Sequence, residues 1–282
     1  MSAPYAPPES ASTQLAALES VLRNIGEVAI AVSGGVDSLT LAVAAHRVLG
    51  PGASMFHAVS SAVPAEATER TRQIADREGW KLTVLDAGEF GDSDYIRNPL
   101  NRCFYCKTNL YAAIRPHAAA QMVSGTNMDD LGEYRPGLIA AREYGVRHPF
   151  VEALIDKRGV RAISHCLGLS DVAELPASPC LSSRIETGIA IDSVMLGCVH
   201  ESERLVTGEL TAKTVRCRVR AGGVVIELDD VSLQTLSDER RHLLTNRVMA
   251  LFEQAGFAFG VRFAPYRVGS AFLHIKGPGN RP

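Results

Sequence analysis

Residues 33–38 read Ser-Gly-Gly-Val-Asp-Ser and follow the apolar run Val28-Ala29-Ile30-Ala31-Val32 without a break. A loop that wraps phosphate needs small residues, so that backbone N–H groups can come close, and a helix N-terminus behind it. Ser33, Gly34 and Gly35 supply the turn, Val36 leads out of it, and Ser38 sets a hydroxyl beside the first helical turn. Asp37 can cap that helix or help to hold a magnesium ion. A Walker loop needs Gly-Lys-Ser/Thr, and no lysine stands here, which argues against γ-phosphate transfer. A glycine-rich β-turn opening a helix has the same composition; the strand before it and the helix after it favour phosphate.

The second group of reactive residues is sulfur. Six cysteines occur, Cys103, Cys106, Cys166, Cys180, Cys198 and Cys217, and in an intracellular chain of this size disulfide staples are not expected. Cys103-Phe104-Tyr105-Cys106 follows the loop signal Asn98-Pro99-Leu100-Asn101-Arg102 and precedes a helix expected from about Lys107. Such a pair is a metal or cluster ligand pair, zinc included, or a redox dithiol. Cys180 lies in Ser178-Pro179-Cys180-Leu181-Ser182-Ser183-Arg184, where proline and serines favour a loop and Arg184 would favour the thiolate. Cys166 and Cys198 fall on helical stretches and Cys217 on a strand, so all three read as core; nothing makes His148 or His165 a ligand.

The elements that must position these residues alternate. Helical spacing runs over Leu15–Ile25, Leu39–Leu49, Ala65–Glu78 and Cys106–Ala120. Short apolar strands are expected at 28–32, 55–60, 81–86 and 121–124. This predicts an α/β fold with a doubly wound parallel sheet, its ligand at the carboxyl ends of the strands, where Ser33, Ser60 and Gly125 fall. Gly125-Thr126-Asn127-Met128-Asp129-Asp130 carries polar groups suited to a nucleotide, or else forms an Asx-type turn before a helix. After about Ser182 the order changes: helix 191–206, strands 215–220 and 224–228, helix 233–254 and strand 257–263 make a smaller α+β unit. The expected domains are a disordered tail at 1–12, an ATP-binding domain at 13–182 and an α+β domain for substrate binding and oligomerisation at 183–282. Arg216, Arg218 and Arg220 alternate along a strand and share one face.

The loop at 33–38 resembles the SGGxDS signature of PP-loop ATP pyrophosphatases, adenine nucleotide alpha-hydrolase-like enzymes that grip the departing pyrophosphate and transfer AMP to a substrate oxygen. That resemblance sets Val59, Ser60 and Ser61 against the adenine, and Asp37 and Ser38 in the catalytic centre. Together with NRCFYCK, SGTNMDDLGEYRPG and SPCLSSRI, the chain resembles the LarE family, closely from Val28 to Arg184 and more loosely as far as Ser270. LarE proteins are ATP-dependent sulfur transferases that help to build the nickel-pincer nucleotide cofactor of lactate racemase. The resemblance implies adenylylation of a carboxylate of a pyridinium dicarboxylate mononucleotide, attack by a cysteine at the position of Cys180, and a thiocarboxylate product. One branch sacrifices that cysteine and leaves dehydroalanine. The other holds a 4Fe–4S cluster on three cysteines, here Cys103, Cys106 and Cys180, and draws on sulfide or another sulfur donor. All three positions are filled, which favours the cluster branch. The resemblance further gives Arg184, Arg216 and Arg218 to the substrate and its phosphate, with Glu203 and Glu227 as metal or cofactor neighbours.

Composition narrows the classes. The net charge of −2 and the lack of a basic run or RNA-binding module weaken the rival reading, a tRNA thiolase. An ammonia-using amidotransferase or NAD-synthetase-like enzyme leaves the three cysteines unexplained, and a nucleotide sensor has no use for Cys180. No signal-peptide pattern and no bilayer-length apolar run are present, so a cytoplasmic chain without membrane or nucleic-acid partners is expected. By resemblance it forms a homo-oligomer.

Overall fold

In a computed structural model of the chain, residues 10–132, 134–177 and 179–271 are described. In chain order the elements are α1 (Ala11–Ile25), β1 (Val28–Ala31), α2 (Val36–Leu49), β2 (Ala53–Ala58), α3 (Ala65–Glu78), β3 (Leu82–Leu85), α4 (Ser93–Ile96) and α5 (Arg102–Ile114). Then come β4 (Gln121–Val123), α6 (Gly137–Glu143), α7 (Pro149–Glu152), α8 (Lys157–Cys166), α9 (Ser170–Ala173) and α10 (Ser193–Glu209). The chain closes with β5 (Val215–Arg220), β6 (Gly223–Leu228), α11 (Asp230–Thr235), α12 (Asp238–Gln254) and β7 (Val261–Pro265). No described helix is long and apolar enough to cross a membrane.

The described residues divide into two compact units. The first takes 10–59, 65–88 and 106–177; the second takes 60–64, 89–105 and 179–271. The first unit holds a four-stranded sheet in the order β3-β2-β1-β4, with every neighbouring pair parallel. Ile30 stands opposite Met55 on one side and Val123 on the other. Val28, Ala29 and Ile30 are all buried, as a strand covered on both faces requires. Helix α2 packs against β1, β2, α1 and α8. Leu39, Leu41, Ala42, Val43, Ala44 and Ala45 are buried in sequence, so it is a helix without a solvent face. In α1, Ser10 accepts a hydrogen bond from Thr13 N–H, and Leu18 and Leu22 deliver the apolar stripe to the core. The tail expected over 1–12 lies, as far as residue 9, outside the described residues; residues 11 and 12 are helical.

The second unit has a three-stranded sheet, β5-β6-β7, in which β5 and β6 form an antiparallel hairpin and β7 runs parallel to β6. Helix α10 packs on β5, and α12 on α10 and β7. Residues 272–282 of the expected C-terminal domain lie outside the described residues.

Several elements depart from the expected bounds: β7 runs Val261–Pro265 rather than 257–263, and α5 ends at Ile114 rather than Ala120. Helix α2 starts at Val36, three residues before Leu39, so Asp37 and Ser38 lie in its first turn. Helix α5 starts at Arg102 and takes Cys103 and Cys106 into its first turns as an i,i+3 pair. The helix expected over 233–254 is two helices, α11 and α12: Ser237 has extended backbone, and its hydroxyl caps α12 by accepting from Arg240 N–H.

Candidate functional site

From β1 the first sheet grows outward to β2 and β3, and the chain then returns to place β4 on the other side of β1. Such a reversal opens a crevice at the carboxyl ends of the two strands that flank it. Residues 33–38 leave β1 there and residues 124–127 leave β4. The two loops meet closely. A Cβ on Gly125 would lie 2.9 Å from both the Asp37 carbonyl carbon and Ser38 N, so only glycine lets the backbones approach.

The loop after β1 is closed on itself. Ser33 N–H donates to Ser38 Oγ at 3.0 Å, the hydroxyls of Ser33 and Ser38 are bonded at 3.0 Å, and Ser38 Oγ donates to the Gly35 carbonyl at 3.2 Å. Gly34 has φ +78°, and a Cβ there would sit 2.5 Å from the Ala67 carbonyl oxygen of α3. Arg70 Nη1 donates to the Gly34 carbonyl at 2.7 Å. Gly35 is the N-cap of α2 and Val36 its buried first residue. Asp37 is engaged from two sides, by Asn127 Nδ2 at 3.1 Å and by Lys157 Nζ at 2.5 Å. Thr126 is bonded through its hydroxyl to Ser124 at 3.1 Å, and Ser124 to His148 Nδ1 at 2.9 Å. Lys157 and Arg70 carry no motif signal: Lys157 stands 120 residues after Asp37, at the first position of the helix that Asp156 caps.

Below this loop lies a pH-sensitive joint. His57 is fully buried on β2, with Nδ1 2.8 Å from the Val32 carbonyl and Nε2 2.9 Å from Thr68 Oγ1. A carbonyl only accepts, so Nδ1 carries the proton and Nε2 accepts from Thr68. Burial, above all, holds the His57 pKa below its usual 6.5. A histidine kept neutral contributes stability that is present above its unfolded pKa and is lost as pH falls from 6.5 through the lower folded value. His148, also held low by burial, adds in the same direction. The urea midpoint is therefore expected to drop on acidification below about pH 6.5, and less steeply in His57→Gln. A wild-type midpoint that is flat across that range would count against it.

The second unit presents Cys180. It is partly exposed and immediately precedes a buried 3-10 turn, Leu181–Arg184. Arg184, 2% exposed, holds this segment with all three guanidinium nitrogens. Nε and Nη2 fork onto Glu203 at 2.9 and 3.1 Å, and Nη1 donates to the carbonyls of Pro179 and Cys180 and to Ser183 Oγ. Leu181 N–H donates to the Ala62 carbonyl at 2.8 Å and Ala62 N–H to Ser60 Oγ at 3.2 Å; Ser60 Oγ in turn donates to the buried carboxylate of Glu89 at 2.5 Å. Ser60 thus belongs to the unit that carries Cys180. Tyr95 and Ser182 hydroxyls are bonded at 2.6 Å, and Asn98 Nδ2 donates to the carbonyls of Glu186 and Ile189 at 2.9 Å. Arg102, next to Cys103, is bonded to Asn98 Oδ1. Cys103 and Cys180 are therefore anchored in one unit, and Cys106 belongs to the other. All three are partly exposed thiols outside any disulfide, a donor set of the kind that iron–sulfur clusters use. Among the described residues no group of three or more His, Cys, Asp or Glu side chains is gathered as for a metal ion. Cys217 and Cys198 are buried, as expected; burial pushes the Cys217 thiol far up, and Cys166 is exposed rather than core.

The arginine face of β5 is occupied by a charge network. Arg218 and Arg220 both reach Glu227, at 3.2 and 2.7 Å, and Arg218 also donates to the Ser183 carbonyl at 2.8 Å. Ser270 donates to Glu227 at 2.7 Å. Arg216 lies over the Tyr266 ring, 6.0 Å from its centroid, and burial followed by the nearby Arg184 lowers its pKa. Glu203 and Glu227 are thus counter-ions here, two carboxylates against the four guanidiniums of Arg184, Arg216, Arg218 and Arg220. Guanidinium groups clustered on one strand face are of the kind that bind anions. Arg218 and Glu227 are 5% and 2% exposed, so Glu227→Ala strands buried cations. It is expected to cost about 3–5 kcal/mol in urea unfolding. A loss within about 1 kcal/mol would mean that the network is solvated.

No family model matches the chain. It is 36% identical to an uncharacterized protein of Synechocystis over 253 residues, 86% of this chain and 92% of that relative. It is 28% identical over 227 residues to the pyridinium-3,5-bisthiocarboxylic acid mononucleotide synthase of Lactiplantibacillus plantarum, covering 79% and 82% of the two chains. An uncharacterized protein of Methanocaldococcus jannaschii is 26% identical over 223 residues, 77% of this chain and 83% of its own. With more than a third of its aligned residues shared with the first across most of both chains, the chain belongs to one family with that protein, and it is similar, at lower identity, to a LarE-type synthase.

Proposed function

We propose that the chain is an ATP-dependent sulfur transferase that adenylylates a carboxylate of a pyridinium dicarboxylate mononucleotide and converts it to a thiocarboxylate, for nickel-pincer nucleotide synthesis. The observation that carries this reading is the closed loop at 33–38, set against Gly125 and Asn127 at the point where the strand order reverses. Similarity to the Lactiplantibacillus synthase, whose name gives its product, supports the substrate class.

In the first step a substrate carboxylate oxygen bonds to the α-phosphorus, and pyrophosphate leaves with the electron pair of the broken P–O bond. The backbone N–H groups at 33–38 and the start of α2 suit that leaving group. In this reading Asp37 meets magnesium, Thr126 and Asn127 meet the nucleoside, and Ser60 is assigned to it by the resemblance alone. In the second step sulfur attacks the acyl carbon and AMP departs. The arginines of the β5 network receive the substrate phosphate, and Arg184 acts by holding the Cys180 segment in shape.

For the sulfur carrier we favour a 4Fe–4S cluster. Cys103, Cys106 and Cys180 would hold it, and when bound it supplies a transferable sulfide. The test incubates the anaerobically reconstituted chain with MgATP, sulfide and the mononucleotide, and follows pyrophosphate, AMP and thiocarboxylate by mass spectrometry beside iron and sulfide analysis. Substrate-dependent AMP and pyrophosphate in equal amounts with repeated turnovers are expected. An iron-free protein whose Cys180 becomes dehydroalanine would replace the cluster by the sacrificial route, and ADP as product would sink the adenylylation.

A further inference from the structure

The phosphate loop contributes N–H groups and hydroxyls but no cation, because no lysine or arginine lies in residues 33–38. The fold brings one from 120 residues away: Lys157 Nζ rests 2.5 Å from Asp37 Oδ2. The backbone beneath it is fixed. Lys157 N–H donates to Asp129 Oδ2 at 3.0 Å, Asp156 caps the helix by accepting from Gly159 N–H at 2.7 Å, and Met128 N–H donates to the Ile155 carbonyl at 3.0 Å. Only the side chain is adjustable, and it keeps 35% exposure against 27% for Asp37. Arg70, the other cation on this loop, is committed to the Gly34 carbonyl.

We propose that Lys157 is the triphosphate-binding lysine of this site, parked on Asp37 until MgATP arrives. The proposal rests on the ATP reading above. A half-exposed ion pair is weak and exchanges readily. Magnesium offers Asp37 a doubly charged partner, and a triphosphate carries more negative charge than one magnesium ion neutralises, so both members of the pair gain by parting. A lysine ammonium is a compact point charge on a flexible stem, suited to phosphate oxygens. During AMP transfer the electron pair of the breaking P–O bond passes to pyrophosphate, and the ammonium offsets that charge without giving up a proton.

Titration calorimetry of the full chain with MgATP and, separately, with AMP tests this on the unsubstituted protein, Lys157→Met and Lys157→Arg. Lys157→Met is expected to weaken MgATP binding about 10–100-fold and AMP binding by less than about twofold, and Lys157→Arg to recover most of the MgATP loss. Equal weakening of both nucleotides, or unchanged MgATP binding, would show a mere staple between α2 and α8 and overturn the proposal. Lys157→Gln repeats the comparison if the methionine variant melts early. Failure of the unsubstituted chain to bind either nucleotide is a separate result, which overturns the ATP reading itself.

Discussion

Cys180→Ala is expected to abolish thiocarboxylate formation while leaving a stoichiometric burst of pyrophosphate. Both proposed sulfur routes run through this thiol, as a cluster ligand or as the donor itself, whereas the proposed activating step draws on the loop at 33–38 and its neighbours and not on Cys180. Because Cys180 is partly exposed and its side chain is not among the contacts that shape the following turn, alanine leaves Arg184, Leu181 and Ser182 in place. Rapid-quench measurement of pyrophosphate beside mass spectrometry of the substrate separates the two steps. Thiocarboxylate appearing at a rate near that of the unsubstituted chain would remove Cys180 from the chemistry. Cys103→Ala then distinguishes the routes: it stops turnover if three thiolates hold a cluster and spares the single turnover of a sacrificial cysteine.

Gly34→Ala is expected to lower AMP-forming turnover by about 100-fold or more, because two independent penalties coincide. The backbone at φ +78° costs a non-glycine residue about 1–2 kcal/mol. The added Cβ would also lie 2.5 Å from a backbone carbonyl of α3, which cannot swing aside as a side chain could. The loop must therefore move, and a shift of about 1 Å at a reacting centre costs about 10²-fold. Gly26→Ala is the control: its φ is +83°, but no atom lies within 4 Å of the added carbon. With ψ −126° it should lose about 1–3 kcal/mol of stability and no turnover. Equal activity losses in the two variants would mean that strain alone, and not the shape of the phosphate loop, is being read.

Much of the first unit is legible in the sequence because its signals are local. Buried apolar strands alternate with helices closed by glycine, and the glycines at 34 and 125 stand where backbones crowd. What escapes are effects that no window contains. Lys157 reaches Asp37 only because two helix starts converge at the same crevice. The proline-containing stretch before Cys103 reads as a loop, yet the helix begins at Arg102, whose guanidinium is anchored by Asn98. Alternation correctly put Arg216, Arg218 and Arg220 on one strand face, but not that Glu227 engages the second and third. Ser237 marks a helix start only to a reader who gives its cap more weight than the apolar spacing on either side. A domain boundary sought as one cut at residue 182 also differs from the units, because the second takes up the segments 60–64 and 89–105 in exchange for chain continuity.

That exchange has a consequence for synthesis on the ribosome. Asn98 spends its side chain on Glu186 and Ile189, 88 and 91 residues further along, and Tyr95 on Ser182, 87 residues later. At roughly 5–20 residues per second the segment leading into Cys103 leaves the exit tunnel on the order of 5–20 s before its partners. Throughout that interval the segment is tethered without its docking surface, and the nascent chain carries the Cys103 and Cys106 thiols ahead of Cys180. A cofactor that needs all three thiols could load only once Cys180 has followed, and until then the waiting Cys103 and Cys106 pair is open to oxidation.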